Sequence, residues 1–219
     1  MATLWRQSTG DFPRDPNAPA TYSAGETLYT LLSDNVVKCG ARIHDYASSS
    51  FLPADVIDTM ATREAVKAKS SWATSIFSSY ISRVATEAKK LFVILGLCEQ
   101  ERAIFAIYDL GLRDEHLPLT KRRDFRRRIV LVSSQNQEFD ISQILEDGRL
   151  KISEIDAFLE KQWLVLAPTI QKLGEEIRIE GRAPLPFYDI KTQVSSGASN
   201  IYKGKLHPAH IVSDQSGCL

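Results

Sequence analysis

The chain has 219 residues, of which 43% are hydrophobic and 25% are charged. This is ordinary for a globular protein, so a disordered chain, a collagen-like fibre and a small disulfide framework are excluded as descriptions of the whole. Basic and acidic residues each number 27, so the formal net charge is zero and the basic excess typical of nucleic-acid-binding domains is absent.

Three features of the sequence bear on where the protein resides. The longest apolar run, Leu91–Cys98, falls far short of the roughly 20 residues that cross a bilayer. Residues 1–19 contain no apolar core of a signal peptide. Cys39, Cys98 and Cys218 are odd in number and widely spaced, which is typical of reduced thiols rather than of a disulfide framework or a zinc site. We therefore expect a cytoplasmic protein.

The first half of the chain has the pattern of a helical domain. Residues 1–21 contain prolines at positions 13, 16 and 19, which predicts a disordered tail. Leucines spaced three and four residues apart predict a helix from Tyr22, a second helix begins near Pro53, and residues 62–69 continue the helical composition. The longest series of apolar residues at intervals of three and four predicts one helix over 73–98. Its apolar face is made of Ile76, Phe77, Tyr80, Ile81, Val84, Ala88, Leu91, Phe92 and Leu95.

The middle of the chain is less regular. A short apolar stretch over 104–112 ends in a turn around Gly111. The run Ile129–Val132 is compatible with a strand or with a buried helix. An acidic first turn at Ser153 predicts a helix that Pro168 ends.

The end of the chain differs in composition from the helical segments before it. Residues 175–181 have the charge and the bounding glycines of a linker. The runs 187–194 and 200–206, separated by a Ser-Ser-Gly turn, predict a β-hairpin.

These segments predict a mainly α fold, an irregular helical bundle with a short C-terminal β-hairpin. The predicted divisions are a disordered tail over 1–21, a helical extension domain over 22–182 and a hairpin unit over 183–219.

The turn of this hairpin has the arrangement of a protein-kinase glycine loop. Such a loop reads GxGxxGxV between two strands, and its bare backbone lets amide groups approach the phosphates of ATP. With Ile201 at the valine position, Val194, Ser196 and Ser199 stand at the three glycine positions, and Gly197 lies between them. The loop is therefore a degenerate and weak candidate for nucleotide binding.

Short motifs on both sides of the loop form an ordered series. Those next to it are Leu185-Pro186-Phe187, Ile201-Tyr202-Lys203 and Leu206-His207-Pro208-Ala209-His210. Those further upstream are Lys90–Leu95, Asp109–Asp114 with Leu117-Pro118, and Gln162–Pro168. The series resembles a group of fungal serine/threonine protein kinases, in which a helical extension precedes the kinase domain. The resemblance extends from about Phe51 to His210 and implies that the hairpin is similar to the start of a kinase N-lobe.

The other motifs of a kinase do not occur in the sequence. It contains neither His-Arg-Asp nor Asp-Phe-Gly, which supply the catalytic aspartate and a metal ligand in kinases. The residues from Leu185 onward are fewer than the roughly 50 of a small domain. We therefore predict a chain truncated before the catalytic core, without enzymatic activity or cofactor and with an ATP affinity no better than millimolar.

The resemblance implies a non-catalytic helical interaction or regulatory module of a kinase-like protein. Its expected partners are other proteins or a kinase domain, and neither a membrane nor a nucleic acid is expected. The alternative is the incomplete product of an active serine/threonine kinase, which would bind ATP and transfer a phosphoryl group.

A second alternative rests on the basic segment 121–128, in which three basic residues lie on either side of Asp124 and Phe125. Such a cluster is typical of nucleic-acid or acidic-lipid binding. The zero net charge favours instead a solvated helical face that is balanced by acids elsewhere. His207 and His210 are spaced like metal ligands, but Pro208 disfavours a helix there and no third ligand is near, so no metal site is predicted.

Overall fold

The local patterns of the sequence produce short helices and short strands. The structure, a computed structural model, describes residues 27–38, 50–70, 78–170, 182–196 and 199–212. The α-helices within these residues are α1 (Leu28–Asp34), α2 (Ala54–Met60), α3 (Arg63–Ala68), α4 (Ser78–Glu87), α5 (Lys89–Leu97), α6 (Ile104–Asp109), α7 (Ser142–Glu146) and α8 (Ile152–Lys161). The strands are β1 (Val37–Lys38), β2 (Ser50–Phe51), β3 (Leu119–Arg123), β4 (Ile129–Ser133), β5 (Glu138–Asp140), β6 (Phe187–Ser196) and β7 (Ser199–Leu206).

The strands form three small antiparallel sheets in the described residues. They are the pair β1–β2, the sheet β3-β4-β5 and the hairpin β6–β7. The predicted helical fold with a C-terminal hairpin is confirmed at this level. The three-stranded sheet in the middle of the chain was not predicted. None of the helices in these ranges is both long and apolar enough to cross a bilayer.

Helix α5 lies at the centre of the hydrophobic core. Every residue from Leu91 to Leu97 is buried, and α1, α2, α4, α6 and α8 all contact this helix. Helix α1 approaches α5 at Gly96, where a Cβ atom would lie 2.7 Å from Cδ2 of Leu28 and 2.9 Å from Cδ1 of Leu32. Glycine at this position therefore lets α1 pack directly on the backbone of α5.

The prediction of one helix over 73–98 is wrong for its described part, residues 78–98. The helix is broken at Ala88, whose φ of −135° leaves the helical region. The side chain of Ala88 cannot cap the new helix, and the Asp114 carboxylate does so instead. It accepts hydrogen bonds from the backbone N–H groups of Lys90 at 2.9 Å and Leu91 at 3.0 Å. Periodicity within one segment cannot reveal a cap supplied by a residue so distant in sequence.

The prediction of a helical face for the basic segment 121–128 is also wrong. Residues 121–123 belong to β3, and residues 124–128 form the turn into β4. The undecided run Ile129–Val132 lies in a strand, which pairs with β3 on one side and β5 on the other. Helix α8 begins at Ile152, one residue before the predicted Ser153.

The segment after β7 returns to the helical body. Ile211 forms a parallel bridge with Ile170, and the N–H of His207 donates to the carbonyl of Pro186 at 2.8 Å. The predictions for the tail over 1–21, the linker over 175–181, Gly197, Cys39 and Cys218 lie outside the described residues, as does the part of the predicted helix before Ser78.

Candidate functional site

The kinase-like hairpin is formed by β6 and β7. Its register pairs Val194 with Ile201 and Ser196 with Ser199. These positions, which align with the glycines and valine of a kinase loop, therefore all lie in paired strands. The predicted hairpin is confirmed, but the prediction that its turn begins at Ser195 is wrong, because Ser195 and Ser196 pair with Asn200 and Ser199. The kinase resemblance stays a prediction.

The two histidines after this hairpin contact the helical body. The ring of His210 lies 5.3 Å from that of Phe51, edge-on, and its Nδ1 lies 3.0 Å from the carbonyl oxygen of Pro168. A carbonyl can only accept, so Nδ1 carries the proton. Burial lowers the pKa of His210, and the Pro168 carbonyl opposes that shift. Nδ1 of His207 accepts from the N–H of Ala209 at 3.3 Å, so both rings are engaged in local structure.

Metal-ligating side chains do not gather elsewhere in the part of the chain that the structure describes. No group of three or more His, Cys, Asp or Glu residues lies close enough there to hold a metal ion. Cys98 is a free thiol, and burial raises its pKa to about 11. A thiol with that pKa is protonated near neutral pH and is therefore a poor nucleophile.

A stronger candidate is the basic hairpin, which we define as residues 119–133, comprising β3, its turn and β4. Its base is fixed by Gln162, which is 1% exposed. The amide of Gln162 accepts from the N–H of Leu119 at 2.7 Å and donates to the carbonyls of Leu119 and Leu159, both at 2.9 Å. Leu119 and Leu131 join the hydrophobic core. The base of the hairpin is therefore part of the folded body.

The tip of the hairpin, residues Asp124–Arg128, is organised by one aspartate. The carboxylate of Asp124 accepts from the N–H groups of Arg126 and Arg128, both at 2.8 Å. Its own N–H donates to the carbonyl of Arg128, and its carbonyl accepts from the N–H of Arg127. This is the local turn chemistry for which aspartate is favoured. Arg127 takes a left-handed conformation with φ of 63°, so the turn closes without glycine.

Three of the six basic residues in the hairpin are paired with acids. Lys121 pairs with Asp156 of α8, and Arg122 pairs with Glu138 of β5. Arg128 pairs with Asp140 and, at 2.8 Å, with Asp124. Desolvation opposes ionisation of Asp124, but the hydrogen bonds from Arg128 and Arg126 outweigh it and hold the pKa of Asp124 below its usual value.

The other three basic residues lie at or beside the tip. Arg123, Arg126 and Arg127 are exposed and form no salt bridge with any described residue. Phe125 lies among them and is 87% exposed, the largest fraction of any large hydrophobic side chain in the described ranges. The guanidinium carbon of Arg126 is 5.1 Å from the centre of its ring, within cation–π range. The tip therefore presents one apolar ring surrounded by uncompensated positive charge.

Sequence reasoning identified this segment but not its geometry. The cluster of arginines was visible, yet only the structure separates the paired cations from the free ones. It also shows a depression of about 600 Å³ beside the tip, lined by Arg122, Arg123, Asp124, Phe125, Arg128, Val130, Glu138 and Asp140. The exposure of Phe125 had no signal in the sequence beyond its position between charged residues.

Comparison with models of protein families, with curated proteins and with solved structures gives no match to this chain. The resemblance to fungal kinases therefore rests on the quoted motifs alone.

Proposed function

We propose that this chain is a non-catalytic binding module that contacts an anionic partner through the tip of the basic hairpin. The observation that carries the proposal is the exposure of Phe125 between arginines that lack acidic partners. Charged side chains alone are common on edge strands, where they prevent aggregation. An exposed aromatic ring has no such protective role, and aromatic and arginine side chains are the residues enriched at interfaces.

The tip is ordered before any partner arrives. The backbone N–H groups of Asp124, Arg126, Arg127 and Arg128 all donate within the turn. Binding would therefore cost little loop-ordering entropy, which is one of the main penalties of association.

The zero net charge of the chain does not oppose an anionic partner. Exposed charges act over about 8–10 Å at physiological ionic strength, so the local balance decides. The six basic residues of the hairpin exceed by two the four acids paired with them, which are Asp124, Glu138, Asp140 and Asp156. The local field at the tip is therefore positive.

Heparin, a generic polyanion, provides a test of this proposal by titration calorimetry at low and high salt. The tip variant Arg123→Gln/Arg126→Gln/Arg127→Gln removes three exposed cations, so we expect binding on the order of tenfold weaker or more, with a flatter salt dependence. The control variant Lys67→Gln/Arg102→Gln/Arg149→Gln removes three exposed cations outside the hairpin and should bind like the wild type. A wild-type protein that does not bind, or a tip variant that keeps the full salt slope, would contradict the proposal.

A second proposal follows the kinase resemblance. The module would regulate a kinase domain, and the observation that favours it is the β6–β7 hairpin, paired at the position of the resembled loop. Because this chain lacks the catalytic motifs, we expect calorimetry to show an ATP affinity no better than millimolar. Micromolar binding would instead favour the alternative, the incomplete product of an active kinase. A strict monomer on size exclusion that captures no kinase-like chain would count against the regulatory role.

A further inference from the structure

The shape of the basic hairpin narrows the class of its partner. We infer that the tip binds the surface of an anionic lipid membrane, with Phe125 at the boundary between headgroups and acyl chains and Arg123, Arg126 and Arg127 on the lipid phosphates. This inference rests on the proposed function, because it assumes that the tip is the contact surface. It departs from the expectation that no membrane is a partner, and it concerns attachment to a surface rather than a span.

The tip lies at the far end of an anchored hairpin. Gln162 fixes the base at Leu119, and a strand of five residues places the turn roughly 16 Å away. Residues 120–123 are exposed along that length. The exposed side chains of the turn, with Phe125 at 87% exposure, can therefore contact a flat surface.

The polar groups of the tip suit contact with a medium poor in water. An unpaired N–H group is costly where water is excluded. In this turn, the Asp124 carboxylate and two backbone carbonyls accept four of the five N–H groups, those of Asp124, Arg126, Arg127 and Arg128. The ring of Phe125 has no polar atom. Helices that lie in the membrane interface likewise combine apolar residues such as Phe with Lys and Arg.

The number of aromatic rings at the tip favours a membrane over a single-stranded nucleic acid. Proteins that bind single strands stack successive bases on several aromatic side chains, and the tip offers one, Phe125. The nearby acids Glu138 and Asp140 repel neither partner, because they are paired with Arg122 and Arg128.

The size of the tip disfavours a protein partner held by this contact alone. A stable protein interface buries about 800 Å² on each side and involves roughly 20 residues or more. The tip and the adjoining Arg123 offer five exposed side chains, Arg123, Phe125, Arg126, Arg127 and Arg128. Membrane attachment tolerates a small contact, because each basic residue near an anionic surface adds to the affinity independently of a shaped pocket.

Co-sedimentation of the full chain with lipid vesicles tests the inference. The probes are vesicles of phosphatidylcholine alone and vesicles that contain about 30% phosphatidylserine, which imitate a strongly anionic surface. We expect binding only to the anionic vesicles and loss of binding at high salt. The tip variant should bind about 100-fold more weakly, and Phe125→Ala about tenfold more weakly. The control variant should bind like the wild type, and thermal melts should show that all variants fold.

The outcomes separate the inference from the proposed function. Binding to heparin through the tip, without preference for anionic vesicles, would overturn the membrane inference and leave the anionic-partner proposal standing. Vesicle binding that ignores Phe125→Ala would also overturn the inference, because the ring would not enter the membrane. If free glycerophosphoserine displaces the protein from the vesicles as effectively as added vesicles do, the ligand is a soluble phosphate compound. That result would also overturn the membrane inference. Binding to neither heparin nor anionic vesicles would overturn both proposals.

Discussion

Gln162 shows how one buried polar residue determines where the candidate site stands. Its amide makes three hydrogen bonds, two of them to the backbone of Leu119 at the start of β3. Both residues are 1% exposed, so water cannot replace these bonds. The side chain bonds to the N–H and C=O of Leu119 as the backbone of a neighbouring strand would. It thereby joins the basic hairpin to the turn that follows α8.

We predict that Gln162→Leu lowers the free energy of unfolding by about 2–4 kcal/mol, because it leaves the N–H and C=O of Leu119 buried without partners. Urea unfolding, with the slope checked for constancy, measures the change. Gln143→Leu, at an exposed glutamine of α7, is the matched control and should change stability by less than about 0.5 kcal/mol. Equal stability of the two variants would show that the Gln162 bonds do not hold the hairpin.

Among the helices and strands, those that a local sequence pattern defines lie close to their predicted positions. Those that depend on residues distant in the chain do not. The helix near Pro53 and the β6–β7 hairpin lie close to their predicted positions because period and turn residues define them locally. The break at Ala88 depends on Asp114, whose buried carboxylate caps α5. Burial raises the pKa of Asp114, and the hydrogen bonds from Lys90 and Leu91 oppose that rise.

The sheet β3-β4-β5 was missed for a related reason. The sequence of β3 is basic, and its exposed residues 120–123 show no alternation of apolar and polar side chains. The strand exists because its backbone pairs with β4, from Leu119 with Ser133 to Arg123 with Ile129. Because the net charge of the chain is zero, the basic segment was interpreted as the solvated face of a helix. The sequence therefore showed the cluster of arginines but not that it lies on a strand and its turn.

At the scale of the whole molecule, His210 joins the segment after β7 to the helical body. Its ring is 2% exposed, lies against Phe51 and donates to the carbonyl of Pro168. Nε2 is buried and has no hydrogen-bond partner among the described residues. The neutral ring is therefore the form that fits this junction.

We predict that acid weakens this junction through His210. Because burial lowers the pKa of His210 in the folded protein, the unfolded chain takes up the proton more readily. The stabilisation is complete above the ordinary histidine pKa of about 6.5 and is lost as pH falls through that value toward the folded pKa.

Urea unfolding of the wild type and His210→Gln, at neutral pH and at mildly acidic pH, tests this prediction. The wild type should lose more stability on acidification than the variant, since groups common to both proteins cancel in the comparison. Equal losses of stability in the two proteins would show that protonation of His210 does not weaken the junction.

Features that nearby residues encode follow directly from the sequence. They are a mainly helical body, a C-terminal hairpin and a cluster of arginines around Phe125, because periodicity, turn residues and charge are properties of short segments. Contacts across the fold, in contrast, make β3 a strand, start α5 at a cap from Asp114 and give half of the clustered cations acidic partners. These outcomes depend on contacts between residues far apart in the chain, and such contacts leave no pattern in either segment alone.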